Sequence, residues 1–162
     1  MEHAYDITLT VNGAAVSRRV PARLHLIDFL RENLELTGSH TGCEHGVCGA
    51  CTVRVNGDIV RGCLMLAVQA NGCRVDTIEG LSDSKELAGL QKAFHQKNAL
   101  QCGFCTPGML MAAQDLLLRG KKVSREEIRT HISGNYCRCT GYQAIVDAIE
   151  EVMQTEVPHG QG

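Results

Sequence analysis

The sequence predicts an α+β chain in two parts, a small mixed sheet with one helix across it and then a region of four helices. Three observations carry this. Alternating apolar runs meet at Asn-Gly turns twice in the first half, at Asn12-Gly13 and Asn56-Gly57. After about residue 80 the apolar period changes to that of helices. Eight of the nine cysteines fall into two groups, one in each half.

Ile7, Leu9 and Val11 alternate with polar residues, so residues 5–20 read as a hairpin that Pro21 ends. Leu24, Ile27, Leu30 and Leu34 recur at helical spacing and predict a short helix from Leu24 to Asn33. Residues 38–51 form a glycine-rich loop. Thr52 to Val55 and Ile59 to Arg61 make a second hairpin, Cys63 follows it directly, and Arg74 to Ile78 predicts a closing strand. Helices are then expected over Lys85–Asn98, Pro107–Arg119, Ser124–Ser133 and Tyr142–Met153. Pro107 stands in a first turn, where its missing N–H costs nothing. Ser124-Arg125-Glu126-Glu127 is a capping box. The domains are accordingly residues 1–80 and 81–162, with a frayed tail from about Thr155.

The first cysteine group reads Cys43-x4-Cys48-x2-Cys51, with Cys63 after eleven intervening residues. This is the spacing of plant-type [2Fe–2S] sites. Such a cluster needs four thiolates and backbone N–H groups aimed at sulfur, from a loop that takes unusual backbone angles. Gly42, Gly46 and Gly49 are expected to supply those angles. The second group is Cys102-x2-Cys105 with Cys137-x-Cys139. Two short pairs far apart in sequence can meet where helices converge, so eight thiolates point to two metal centres and to electron transfer. Structural zinc also takes four cysteines but favours paired C-x2-4-C knuckles, which the first group does not match. A thioredoxin-like dithiol lacks its βαβ setting here. Haem attachment is excluded, because Thr52 and Thr106 stand where His would follow the cysteine. Cys73 is left over and reads as a free thiol at a strand edge. His45 has no ligand role to fill beside four cysteines. His25, His95 and His131 read as surface or packing residues, and Met109, Leu110 and Met111 as core.

Composition excludes other classes. A net charge of −2 gives no basic stripe for nucleic acid. No run of 18 apolar residues predicts a membrane span. The start lacks a signal peptide's basic and apolar regions, and Arg18-Arg19 reads as a surface pair, so a reducing, cytoplasmic setting is expected. No phosphate loop and no nucleophile–base pair is present, so no catalytic residue is assigned.

Three segments together resemble a known family. They are Gly42-Cys43-Glu44-His45-Gly46-Val47-Cys48-Gly49-Ala50-Cys51-Thr52, Gln101-Cys102-Gly103-Phe104-Cys105-Thr106-Pro107-Gly108-Met109 and Gly134-Asn135-Tyr136-Cys137-Arg138-Cys139-Thr140-Gly141-Tyr142. The chain resembles, over about residues 5–155, the iron–sulfur small subunit of the molybdenum hydroxylases, the family of xanthine oxidase and aerobic carbon monoxide dehydrogenase. The resemblance implies an N-terminal ferredoxin-like β-grasp domain, with Cys43, Cys48, Cys51 and Cys63 holding the cluster nearer the flavin. It implies a C-terminal four-helix bundle, with Cys102, Cys105, Cys137 and Cys139 holding the cluster nearer molybdenum. Gln101 matches a glutamine that hydrogen-bonds the pterin, and Cys139 lies on the pterin side. The implied partners are a large molybdopterin-binding subunit carrying the molybdenum cofactor and a medium FAD-binding subunit, in a dimer of heterotrimers. The substrate, whether carbon monoxide, an aldehyde, a purine, an N-heteroaromatic or an aromatic CoA ester, then belongs to the large subunit. The alternatives are a free-standing two-cluster ferredoxin and a zinc-stapled interaction module.

Overall fold

The computed structural model describes residues 3–156. Strands β1 (Ala4–Val11) and β2 (Ala14–Pro21) form the first hairpin, and β3 (Thr52–Val55) and β4 (Asp58–Arg61) the second. Both turns use Asn-Gly with φ positive at each residue, 50° and 82° in the first and 51° and 99° in the second. That geometry matches the right-handed twist of the flanking strands. Strand β5 (Arg74–Asp76) lies between the hairpins, so the order is β2-β1-β5-β3-β4. β5 runs parallel to β1, with Val11 opposite Val75, and antiparallel to β3, with Val55 opposite Val75. The sheet is mixed, as expected.

Ile7, Leu9 and Val11 of β1 are buried, because alternation puts them all on one face. That face is covered by α1 (Leu26–Asp28), which continues as a π-helical turn over Phe29–Asn33 and buries Leu26, Phe29 and Leu30. The predicted helix over Leu24–Asn33 is thus present, but later in starting and wider in its last turn. The closing strand is shorter than expected. It stops at Asp76, because Thr77 donates its N–H to the Asn12 side chain (2.8 Å) and its hydroxyl to Glu79 (2.6 Å). Ile78 therefore opens a short helix, α2 (Ile78–Asp83), that the sequence pattern does not announce.

Helices α3 (Ala88–Gln96), α4 (Thr106–Leu118), α5 (Arg125–Ile132) and α6 (Gln143–Glu156) occupy the four predicted positions. Five helices rather than four therefore follow the sheet among the described residues. Ser124 and Glu127 form the expected capping box. The expected frayed tail begins inside α6, and its remainder lies outside the described residues. Helix α4 is apolar on nearly every side, burying Met109, Leu110, Met111, Ala112, Ala113 and Leu116. It is the central helix, packed between β3, α2, α3 and α5. Among the described residues no helix is long and apolar enough to cross a membrane.

The two halves interlock through polar groups. Arg54 of β3 has a side chain only 9% exposed. It pairs with Asp76 at 3.1 Å and reaches across to Glu86 at 2.8 and 3.1 Å. Gln114 of α4 donates to the same carboxylate. A buried charge is tolerable only when partnered in this way.

Candidate metal centres

The first cysteine loop curls because its backbone enters the left-handed region at Glu44, Gly46 and Gly49. Gly42, expected to share that role, does not. Its constraint is close approach, since a Cβ there would lie 3.2 Å from Cys48 Sγ and 3.3 Å from the Phe104 ring. The curl aims backbone N–H groups at Cys43 Sγ, with Cys48 N at 3.3 Å. Those N–H groups, Cys48's first and then His45's, bring the Cys43 thiol down to about 6. Cys51 and Cys63 are each 2% exposed and pack with Ile27. Burial pushes the Cys51 thiol up to about 11, and the neighbouring Cys63 thiol adds to the rise. Cys48 also acts on Cys51, so the four sulfurs form one set.

The second set joins segments from three helix ends. Cys102 and Cys105 precede α4, while Cys137 and Cys139 lie between α5 and α6. The Sγ atoms of Cys102 and Cys139 are 3.6 Å apart. Cys105 is paired with Cys137, and burial pushes its thiol up to about 12. Burial also works on Cys137, but the Thr140 hydroxyl, 3.1 Å from its sulfur, and nearby backbone N–H groups outweigh it and lower that thiol. Gln101 donates from Nε2 to the Cys139 carbonyl at 3.0 Å. The two residues expected at the pterin side are therefore together at the surface.

This arrangement suits a two-metal cluster. Two thiolates on one tetrahedral metal, with bonds of about 2.3 Å, stand about 3.8 Å apart, and Cys102 and Cys139 meet that spacing. Each set divides into two close pairs, Cys43/Cys48 with Cys51/Cys63, and Cys102/Cys139 with Cys105/Cys137. Thr41 and Thr106, beside the two loops, carry buried hydroxyls without a partner among the described residues. Cys51 and Cys105, protonated as free thiols, would lose their protons to solvent on binding metal.

The remaining candidates stay outside both sets. Cys73 packs on the sheet's core, its thiol toward the carbonyls of Gln69 and Asn71. His45 Nδ1 is taken by the Cys43 carbonyl. His131 pins α5 to α4 through the Ala112 carbonyl at 3.0 Å and Asp115 at 3.2 Å. His25 lies beside Asp28, and His95 is exposed.

Residues 9–106 match the model of a 2Fe-2S iron-sulfur cluster binding domain, and residues 77–150 that of a [2Fe-2S] binding domain. The caffeine dehydrogenase subunit gamma of Pseudomonas sp. (strain CBB1) is 55% identical over 155 residues, covering 94% of this chain and 93% of its own. A probable xanthine dehydrogenase subunit of Bacillus subtilis (strain 168) is 41% identical, over 85% of this chain and 79% of its own. The chain belongs to the iron–sulfur small subunits of the molybdenum hydroxylases. The crystal structure of quinoline 2-oxidoreductase from Pseudomonas putida 86 contains a chain that superposes on this small subunit with a TM-score of 0.87. The two are 47% identical over 96% of this chain and 99% of that one. The small subunit is an electron-transfer component of an oxidoreductase, with [2Fe–2S]-binding domains in both halves.

Sequence reasoning missed Asn135. It is only 2% exposed and stands between the two cysteine sets. Its side-chain nitrogen donates to the Gly49 carbonyl at 3.0 Å and to Thr52 Oγ1 at 3.3 Å. The signal available was its place two residues before Cys137, inside a motif read only for its cysteines.

Proposed function

We propose that Cys43, Cys48, Cys51 and Cys63 hold one [2Fe–2S] cluster and Cys102, Cys105, Cys137 and Cys139 the other, two cysteines to each iron in the pairs described above. When bound, each cluster accepts and gives up one electron at a time, so a two-electron oxidation in a partner subunit is handed on in single steps. The chain's own residues fix the loops, exclude water from Cys51 and Cys63, and direct N–H groups at sulfur, which tunes potential. On this reading the Gln101 and Cys139 edge faces the molybdopterin cofactor of a large subunit. The Cys43 loop faces the FAD of a medium subunit, and the whole is a cytoplasmic dimer of heterotrimers. Residues 1–80 are the ferredoxin-like β-grasp domain, and α3 to α6 of residues 81–162 the four-helix bundle. The substrate class favoured is an N-heteroaromatic compound, since relatives are named for caffeine and quinoline.

The observation that carries this reading is the 3.6 Å approach of Cys102 and Cys139 beside Gln101. The subunit names of the relatives favour it over a free-standing ferredoxin. Affinity purification from the native cell followed by elemental analysis tests it. About four iron per chain with about one molybdenum is expected from two two-iron clusters and one partner cofactor. Iron without molybdenum or partners would leave the free carrier, and zinc without iron would overturn both.

A further inference from the structure

The two cysteine loops meet where His40 stacks on Phe104 and shares a hydrogen bond with its carbonyl at 2.8 Å, and again at a backbone hydrogen bond. Tyr136 N–H, next to Cys137, donates to the carbonyl of Cys48 at 2.8 Å. A clasp of side chains surrounds that bond. Asn135 donates to the Gly49 carbonyl, one residue from Cys48, and its own Oδ1 accepts from Arg61 Nη2 at 3.3 Å. The same Arg61 nitrogen donates to the Gly134 carbonyl at 2.7 Å, and Arg61 Nη1 donates to Thr52 Oγ1. Thr52 in turn donates its hydroxyl to Gly49 at 2.6 Å. These residues come from the first cysteine loop, the second hairpin and the α5–α6 connection.

Three glycines allow the close approach. A Cβ on Gly49 would meet the Gly134 carbonyl at 2.5 Å, one on Gly134 would meet Arg61 at 2.6 Å, and one on Gly108 would meet the Gly49 carbonyl at 2.3 Å. Nothing in metal ligation requires this. Asn135 supplies no thiolate, and neither Arg61 nor Thr52 lies in the second cysteine set. Yet the clasp fixes where Cys48 stands relative to Cys137, one ligand candidate from each set.

We propose that Asn135, together with Arg61 and Thr52, is a positioning device that sets the separation of the two centres and holds the Cys48–Tyr136 hydrogen bond through which they are joined. In each transfer one electron leaves one centre and reduces the other, with no bond made and no proton moved. Besides the N–H groups that tune each potential, the contact between the loops is a structural variable of that step, and the clasp controls its Cys48–Cys137 side. The inference rests on the two-cluster reading above.

The test uses the whole complex purified with its partners. Asn135→Leu keeps the size of the side chain and removes its hydrogen bonds. Arg61→Met removes the donors but leaves Asn135 in place, and Arg61→Lys restores a single donor. Iron per chain, the magnetic interaction between the two reduced centres by electron paramagnetic resonance, and the rate of reduction of one centre by the other are measured. The expected result is wild-type iron, an altered magnetic splitting, and a transfer rate lower by about tenfold to a hundredfold, the range typical of outer partners of metal ligands. Arg61→Lys is expected to recover part of both signals. Unchanged splitting and rate in Asn135→Leu and Arg61→Met would overturn the inference. So would a loss of iron in proportion to the lost rate, which would make these residues holders of metal rather than of spacing. Wild-type complex lacking two distinct iron signals would sink the two-cluster reading itself.

Discussion

Gly108 shows how a single atom can reverse a propensity argument. Alanine is a better helix former than glycine by about 1 kcal/mol. In the first turn of α4, however, the added Cβ would stand 2.3 Å from the Gly49 carbonyl oxygen, a backbone atom that cannot swing away. Gly108→Ala is therefore expected to lower stability by about 1–3 kcal/mol through overpacking, and a thermal melt of the loaded chain checks it. A melting point equal to wild type or above it would show that the loop yields freely. At the same scale, Cys139→Ser removes one member of the pair with Cys102. Iron is expected to fall from about four to about two per chain, with electron flow stopped while the visible spectrum of the first centre persists. Full iron with normal activity would sink the assignment. The eight ligand candidates were legible because few other roles explain thiols at such spacing. Asn135 was not, since its partners lie 83 and 86 residues away and an asparagine carries no chemistry that names its task.

Among the elements, the two hairpins were readable because period-two alternation and an Asn-Gly turn agree with each other. The end of β5 was not, because what stops it is the Asn12 side chain from a distant turn. The π-helical turn after α1 likewise has no local mark. The segment between α2 and α3 contributes Glu86, which couples the helices to β3. Arg54 holds the Glu86 carboxyl below its ordinary value of 4.5. A lowered folded value means that this contribution is fully present above about pH 4.5 and is lost as pH falls through the lowered value. Glu86→Gln is expected to reduce stability at neutral pH and to flatten the acid limb below pH 4.5. Denaturant midpoints measured across that range decide the matter, and a slope identical to wild type would show that the pair carries no pH dependence.

At the scale of the whole molecule, two cores meet across a polar seam made by Arg54, Arg61, Thr52 and Asn135. The sheet and the helices have apolar interiors of their own, whereas the cysteine loops have little apart from Ile27 with Cys51 and Cys63. Removing iron with an oxidant and a chelator is expected to loosen residues 42–51 and 137–141 while Val53 and Val75 stay protected. Hydrogen exchange followed amide by amide distinguishes this from global unfolding, in which all would lose protection together. The position of β5 between the hairpins bears on how the protein is made. Each hairpin is local and quick to form, but the sheet joins only when residue 76 has left the ribosome. The loop around Cys48 is braced by a residue translated 86 positions after Gly49. The contact that spaces the two centres can therefore close only after Tyr136 has been made, so the distance between them is settled late and on a folded sheet rather than on a nascent loop.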